Sequence, residues 1–222
     1  MPVLTEERMV PLLRLSLFHD VEAQYVFGAL HRFYEKRGAR VVSGSETPRR
    51  FVLHQREQHW CVLDSARAWD WKEARDAQVF VSRELGVAGL LIFRYESYWG
   101  YELYRNGRVM DRFVQCPPED SPVGWFPGET ALGDPAALVE CFPELSLLDV
   151  GPYLVQRPPY GPGFERFFEL NVPVRPGDRF NRFDKLAVVD FLNLLGIKTT
   201  WRDDRWDFGA EVFRSLAVQF PA

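Results

Sequence analysis

Cysteine, methionine and histidine are all sparse in this chain, long apolar runs are missing, and each scarcity closes off a class of protein. The three cysteines, Cys61, Cys116 and Cys141, are an odd number scattered along 222 residues. A disulfide framework needs pairs and a zinc site needs close CxxC spacing, so they read as reduced, mostly buried thiols. The four histidines, His19, His31, His54 and His59, stand in none of the HxH, HxxxH or HExxH arrangements that ligate metals. His54 and His59 fall in adjacent strand-like runs, but no carboxylate or cysteine accompanies them at ligand spacing. No metal and no other cofactor is expected. The longest apolar run, VAGLLIF at 87–93, falls far short of the roughly 20 residues that span a bilayer. The opening MPVLTEERMVPLLRLSLF places Glu6, Glu7, Arg8, Pro11 and Arg14 where a secretory segment would be continuously apolar. The expectation is a cytoplasmic protein that does not enter a membrane.

Positive charge is also in deficit. With 27 Lys and Arg against 31 Asp and Glu, the formal net charge is -4, so no global field draws the chain onto nucleic acid. Basic and aromatic residues interleave at TPRRFVLHQREQHW, a composition that can stack on single strands, but acidic residues are mixed in and nucleic acid is not the expected partner. What is abundant is aromatic: 18 Phe, 8 Tyr and 7 Trp, 15% of the chain. Large rings must dominate the core, and some must reach the surface.

Local signals describe an α+β protein. DVEAQYVFGALHRFYEKRG predicts a helix over about 20–37, with Asp20 as N-cap, Val26, Ala29, Leu30 and Phe33 on one face, and Gly38 in the left-handed position after its end. Strands are predicted at 51–55, 58–63 and 87–95, and a second helix at about 72–85 with Ala77, Phe80, Val81 and Leu85 inward and Gly86 as its stop. PPEDSPVGWFPGETALGDP, from 117 to 135, is too rich in Pro and Gly to continue either periodicity and reads as a long loop. Asp134 and Pro135 then start a short helix. Phe164, Phe167 and Phe168 have helical spacing, DKLAVVDFLNLLG predicts a helix over 184–195 with Asp184 as cap, and IKTTWRDDRWDFG a hairpin setting Trp201 across from Trp206. The expected architecture is one domain over 1–222: an antiparallel sheet with helices packed on one face and a Pro/Gly-rich, more helical C-terminal half. Any subdivision would fall between a sheet-helix core at 1–116 and a loop-rich, helical half at 117–222.

YESYWGYELYRNGRVMDRF, residues 95–113, holds the strongest of these signals. Asn106-Gly107 between strand-forming residues predicts a two-residue type I′ hairpin, because that turn needs positive φ at both central positions. Counting outward, Glu102 should face Asp111 and Tyr101 should face Arg112, with Trp99, Tyr101 and Leu103 on one face and Tyr104, Val109 and Phe113 on the other. Two carboxylates directly opposite need a cation, a shared proton or solvent. They are the one pair whose spacing suits acid-base chemistry. The cluster Asp203, Asp204 and Asp207 lacks the alternation of a calcium loop and reads as a solvated hairpin tip.

Residues 60–113, with WCVLDS, VSRELGVAGLLIFRYES and the glycine-turn hairpin ending in DRF, together with LAVVDFLNLLGI later on, resemble an uncharacterised group of bacterial proteins. Members share a tryptophan-led strand, a helix ending LS..L, a Y-[DE]-S strand and a late LLGI helix. The resemblance implies a bacterial origin and brings no known activity or catalytic residue with it.

No G-x-S-x-G elbow, Walker loop or Rossmann glycine fingerprint occurs. The expected function is therefore non-enzymatic: an immunity-type, adaptor or regulatory module that binds another protein. Trp99, Tyr101, Arg112, Trp125 and Phe126 are the candidate contacts, since Trp, Tyr and Arg concentrate at energetic centres of interfaces. The alternative is a small hydrolase or transferase using Glu102 and Asp111 beneath the 117–135 loop.

Overall fold

A computed structural model describes residues 13–43, 50–55, 59–64, 71–95, 98–116, 131–158, 166–202, 205–207 and 212–219. In chain order the elements are β1 (Leu13–His19), α1 (Ala23–Glu35), β2 (Arg40–Ser43), β3 (Arg50–Gln55), β4 (Trp60–Asp64), α2 (Trp71–Leu85), β5 (Ala88–Arg94), β6 (Trp99–Arg105), β7 (Arg108–Val114), α3 (Pro135–Cys141), α4 (Leu147–Val150), α5 (Arg166–Leu170), α6 (Ala187–Leu194), β8 (Thr200–Arg202), β9 (Arg205–Asp207) and β10 (Val212–Gln219). They form an α+β fold with an eight-stranded sheet in the order β2-β10-β3-β4-β1-β5-β6-β7 and a separate β8-β9 ribbon. The pairings of β1 with β4, β3 with β4, and β10 with both β2 and β3 are antiparallel. The chain divides into two compact units whose boundary runs through β5, β6 and β7.

The unit built from 13–92, 102–110 and 208–222 carries most of the sheet together with α1 and α2. Both helices pack on one sheet face. Their inward stripes, Val26, Ala29, Leu30 and Phe33 from α1 and Ala74, Ala77, Phe80 and Val81 from α2, share one core with Phe18, Leu53, Cys61, Leu63, Leu91, Tyr104 and Val218 from six strands. Gly38 and Gly86 end the helices at φ 75 and 70. α1 begins later than its sequence suggests. Asp20 takes a left-handed φ of 52 and Glu22 is the N-cap, because the backbone N–H of Asp20 donates to the carbonyl of His59 at 2.7 Å and the chain turns there before the helix starts.

β1, β2 and the place of β10 are absent from the sequence reading. All seven residues of β1 are buried, as befits a strand covered on both faces, although Arg14 and Ser16 alternate with Leu13, Leu15 and Leu17 as in a half-buried strand. β10 returns from the end of the chain to lie between β2 and β3, with Leu216 opposite both Ser43 and Phe51. The predicted hairpin forms, with Asn106 at φ 52 and Gly107 at φ 74. A Cβ on Gly107 would lie 2.6 Å from Cβ of Arg83 and 3.0 Å from the carbonyl oxygen of Val79, so glycine permits both the turn and its close seat on α2. The Gly107 amide also donates to the Ser82 hydroxyl at 3.2 Å.

The unit built from 93–101 and 111–207 contains the ends of three strands and the short helices. α3 starts as the sequence predicts, with Pro135 in its first turn and the Asp134 carboxylate accepting from Ala136 N at 2.9 Å. Asp184 accepts from Leu186 N at 2.7 Å and secures the turn that leads into α6. Of the residues expected to face inward on that helix, Val189, Phe191, Leu192 and Leu195 are buried, whereas Leu186 is the N-cap and only half-buried. In the ribbon, Trp201 pairs with Trp206, also as predicted.

Candidate functional site

The structure sends the predicted contact residues to different places. Trp99 and Tyr101 are 0% exposed and belong to an aromatic core around Phe191. Their rings lie 5.1 and 6.0 Å from that of Phe191, the Tyr101 pair being nearly parallel at 3°. Arg112 is half-buried, and its carbonyl accepts from Gly133 N at 2.9 Å. Trp125 and Phe126 lie outside the described residues.

The hairpin faces also differ from the expected ones. The Tyr101 hydroxyl donates to Asp111 Oδ2 at 2.6 Å rather than meeting Arg112, and the Tyr101 ring lies 5.9 Å from that of Phe113. The backbone N–H of Gln115 donates to the Trp99 carbonyl at 3.0 Å, a pairing one residue out of step with the register that the turn begins. One extra residue is therefore taken up in β7, where Val109 and Met110 are both exposed and the alternation breaks. A one-residue shift moves every later side chain to the other face. Phe113 and Asp111 consequently join the Trp99 and Tyr101 side.

Glu102 and Asp111 each have their own partners. Glu102, 0% exposed, accepts from Arg75 Nε at 2.9 Å and in a short hydrogen bond from the Tyr104 hydroxyl. Burial pushes the Tyr104 hydroxyl well above the usual phenol range, and the adjacent Glu102 charge adds to that. Asp111 also accepts from Asp134 N at 2.9 Å. Burial raises the Asp111 carboxyl above the usual range, against the opposing pull of the Tyr101 hydroxyl and two backbone amides.

A second cluster joins residues that the sequence keeps forty positions apart. β1 and β4 set His19 opposite Trp60, and just past that pair His59 Nδ1 lies 2.6 Å from Asp20 Oδ1, with His19 Nδ1 3.4 Å from Asp20 Oδ2. Asp20 and His59 are both left-handed, at φ 52 and 60. The cluster ties the end of β1 to the start of β4. Among the described residues no group of three or more His, Cys, Asp or Glu side chains is arranged to hold a metal ion. The three cysteines form no disulfide and are buried, and burial pushes the Cys61 thiol far up.

Among the described residues a groove of about 420 Å³ runs along α1 and α2, lined by Phe33, Lys36, Arg37, Asp76, Val79, Phe80 and Arg83. The helices run antiparallel, since Arg32 meets Glu84 at 3.0 Å, Phe33 meets Phe80 at 5.5 Å between ring centres, and Arg37 meets Asp76 at 2.7 Å. The Phe33–Phe80 contact thus lies between two ion pairs. The Arg37 guanidinium also lies 4.2 Å from the centre of the Phe33 ring, and Lys36 Nζ 4.9 Å from that of Phe80. Asp76 is shared by Arg37 and, at 2.8 Å, by Lys72. Among the described residues Lys36 and Arg83 form no ion pair, so two exposed cations remain without a carboxylate. The sequence places the two rings correctly on the inward stripes, but nothing in it shows that their outer edges and these cations converge.

Asp76 carries a pH prediction. Burial pushes its carboxyl up, but hydrogen bonds and charges from Lys72 and Arg37 outweigh this and hold it below its ordinary 3.8. A lowered folded-state pKa contributes stability that is present above the unfolded value and lost as pH falls through the folded one. Asp76→Asn should therefore lose stability at neutral pH relative to the parent, and the difference should shrink on acidification below about 4, in urea melts followed across that range.

The chain has no significant match among protein-family models, curated proteins or solved structures. Among the described residues no helix is long and apolar enough to cross a membrane.

Proposed function

We propose that the chain is a non-enzymatic protein-interaction module, an immunity-type, adaptor or regulatory protein of the bacterial cytoplasm, and that it meets its partner at the α1–α2 groove. The observation that carries this reading is the pair of exposed cations, Lys36 and Arg83, lining one groove with the Phe33 and Phe80 rings, Lys36 Nζ 4.9 Å from the centre of the latter. Arginine and aromatic residues are enriched at the energetic centres of interfaces, although here the two rings are themselves largely buried. This moves the contact surface away from Trp99 and Tyr101, which serve the core, while keeping the arginine and aromatic character that suggested a binding protein. The alternative of a small hydrolase or transferase requires Glu102 and Asp111 to act on one reacting group. It is less well supported, since Glu102 is bound to Arg75 and Tyr104, and Asp111 to Tyr101 and the Asp134 amide.

The test is site-specific photocrosslinking in the native host, with the reactive side chain at Val79 in the groove or, as control, at the exposed Leu148. One protein should be trapped from position 79 and not from 148, and after purification it should bind the parent and lose affinity when Lys36 and Arg83 are both changed to Gln. Equal trapping at both positions, or unchanged binding by the double variant, would refute the groove as the contact surface.

A further inference from the structure

We infer that the groove's occupant is a short acidic segment of a partner polypeptide, with an apolar side chain among its carboxylates; this rests on the groove being the contact surface. Three of its lining residues are cationic and one is anionic, and that anion, Asp76, is already shared by Arg37 and Lys72. The charge left over sits on Lys36, at the C-cap of α1, and Arg83, in the last turn of α2. Val79 and Phe80, about one turn before Arg83 on α2, line the same groove, a place for an aliphatic side chain. The chemistry favours carboxylates on separate side chains over phosphate. Phosphate sites draw on backbone amides at helix N-termini and on paired donors. Here the cations belong to the last turns of both helices, where the exposed backbone groups are carbonyls. Nucleic acid is disfavoured as well, because a phosphate backbone is held by many cations acting together and the chain as a whole carries -4. Exposed cations also make the contact sensitive to salt, since charges a Debye length apart are screened.

The experiment titrates the full chain with four probes: a short Asp/Glu peptide with a central leucine, the same peptide with every acid replaced by its amide, inorganic phosphate, and single-stranded DNA of similar length. Binding is read from NMR shifts of backbone amides along α1 and α2, at low and at raised salt. The acidic peptide should bind and shift groove amides, the amide peptide should bind about tenfold more weakly, as loss of two exposed ion pairs implies, and added salt should narrow that gap. Lys36→Gln with Arg83→Gln should remove the difference between the two peptides. Equal binding of acidic and amide peptides, tighter binding of phosphate or DNA, or no detectable binding of the acidic peptide would each overturn the acidic-segment assignment while leaving a partner crosslinked at Val79 unaffected. Acidic-peptide shifts confined to surfaces away from α1 and α2, with no partner crosslinked at Val79, would overturn both.

Discussion

Phe191→Ala is expected to lower the unfolding free energy by about 4 kcal/mol, the middle of the range for truncating a fully buried phenylalanine. The residue is 0% exposed and at the centre of its aromatic cluster, with Trp99 at 5.1 Å, Tyr101 at 6.0 Å and Tyr153 at 5.8 Å between ring centres. Removing the ring takes a contact from three neighbours at once. Two of the three are anchored and cannot collapse into the space. The Tyr101 hydroxyl is held by Asp111 at 2.6 Å and the Tyr153 hydroxyl by Asp178 at 2.7 Å. Urea denaturation followed by tryptophan fluorescence should show the midpoint falling with little change in slope, the pattern of lost native stability. Phe191→Leu, which fills part of the volume, should recover about half of the loss. A loss below about 1 kcal/mol for the alanine variant would mean that the cluster repacks and that the hydroxyl anchors do not hold.

Arg75→Ala is expected to cost about 3 kcal/mol, the low end for breaking a buried ion pair, because the arginine side chain keeps 31% of its surface in solvent while the Glu102 side chain keeps 0%. The variant leaves a carboxylate inside the helix-covered face of the sheet with the Tyr104 hydroxyl as its remaining neighbour from this trio. Most of the penalty comes from leaving the buried Glu102 charge without its guanidinium. The double variant Arg75→Met with Glu102→Leu should therefore be more stable than Arg75→Ala alone, although it removes more polar contacts. A double-mutant cycle by urea denaturation separates the two contributions. A double variant less stable than the single would show that the trio stabilises the fold through its hydrogen bonds instead.

These two sites differ in how visible they are before folding. Phe191 lies on the inward stripe of a helix whose period can be read from DKLAVVDFLNLLG, and its burial follows from that stripe. Nothing in the sequence links Arg75 on α2 to Glu102 on β6, because neither residue breaks a local pattern. The same holds for the groove. Phe33 and Phe80 are predicted inward, but Lys36 and Arg83 look like ordinary solvated charges until antiparallel packing of α1 on α2 brings them to one surface.

By itself, the sequence determined the elements whose signals are local: the two long helices with their glycine stops, the strands near 51, 60 and 88, the Asn106-Gly107 turn, the Asp134 cap and the Trp201–Trp206 ribbon. Each is specified within a few residues by backbone preference, capping or side-chain period, and such preferences act before distant parts of the chain meet. The tertiary structure alone decided the rest. It placed β10 between β2 and β3, made β1 an interior strand, admitted the extra residue in β7 that sends Phe113 and Asp111 to the Tyr101 side, and drew Lys36 and Arg83 together. Strand order, register far from a turn and surface convergence are set by burial and pairing between distant segments, and a short window of residues carries no record of either.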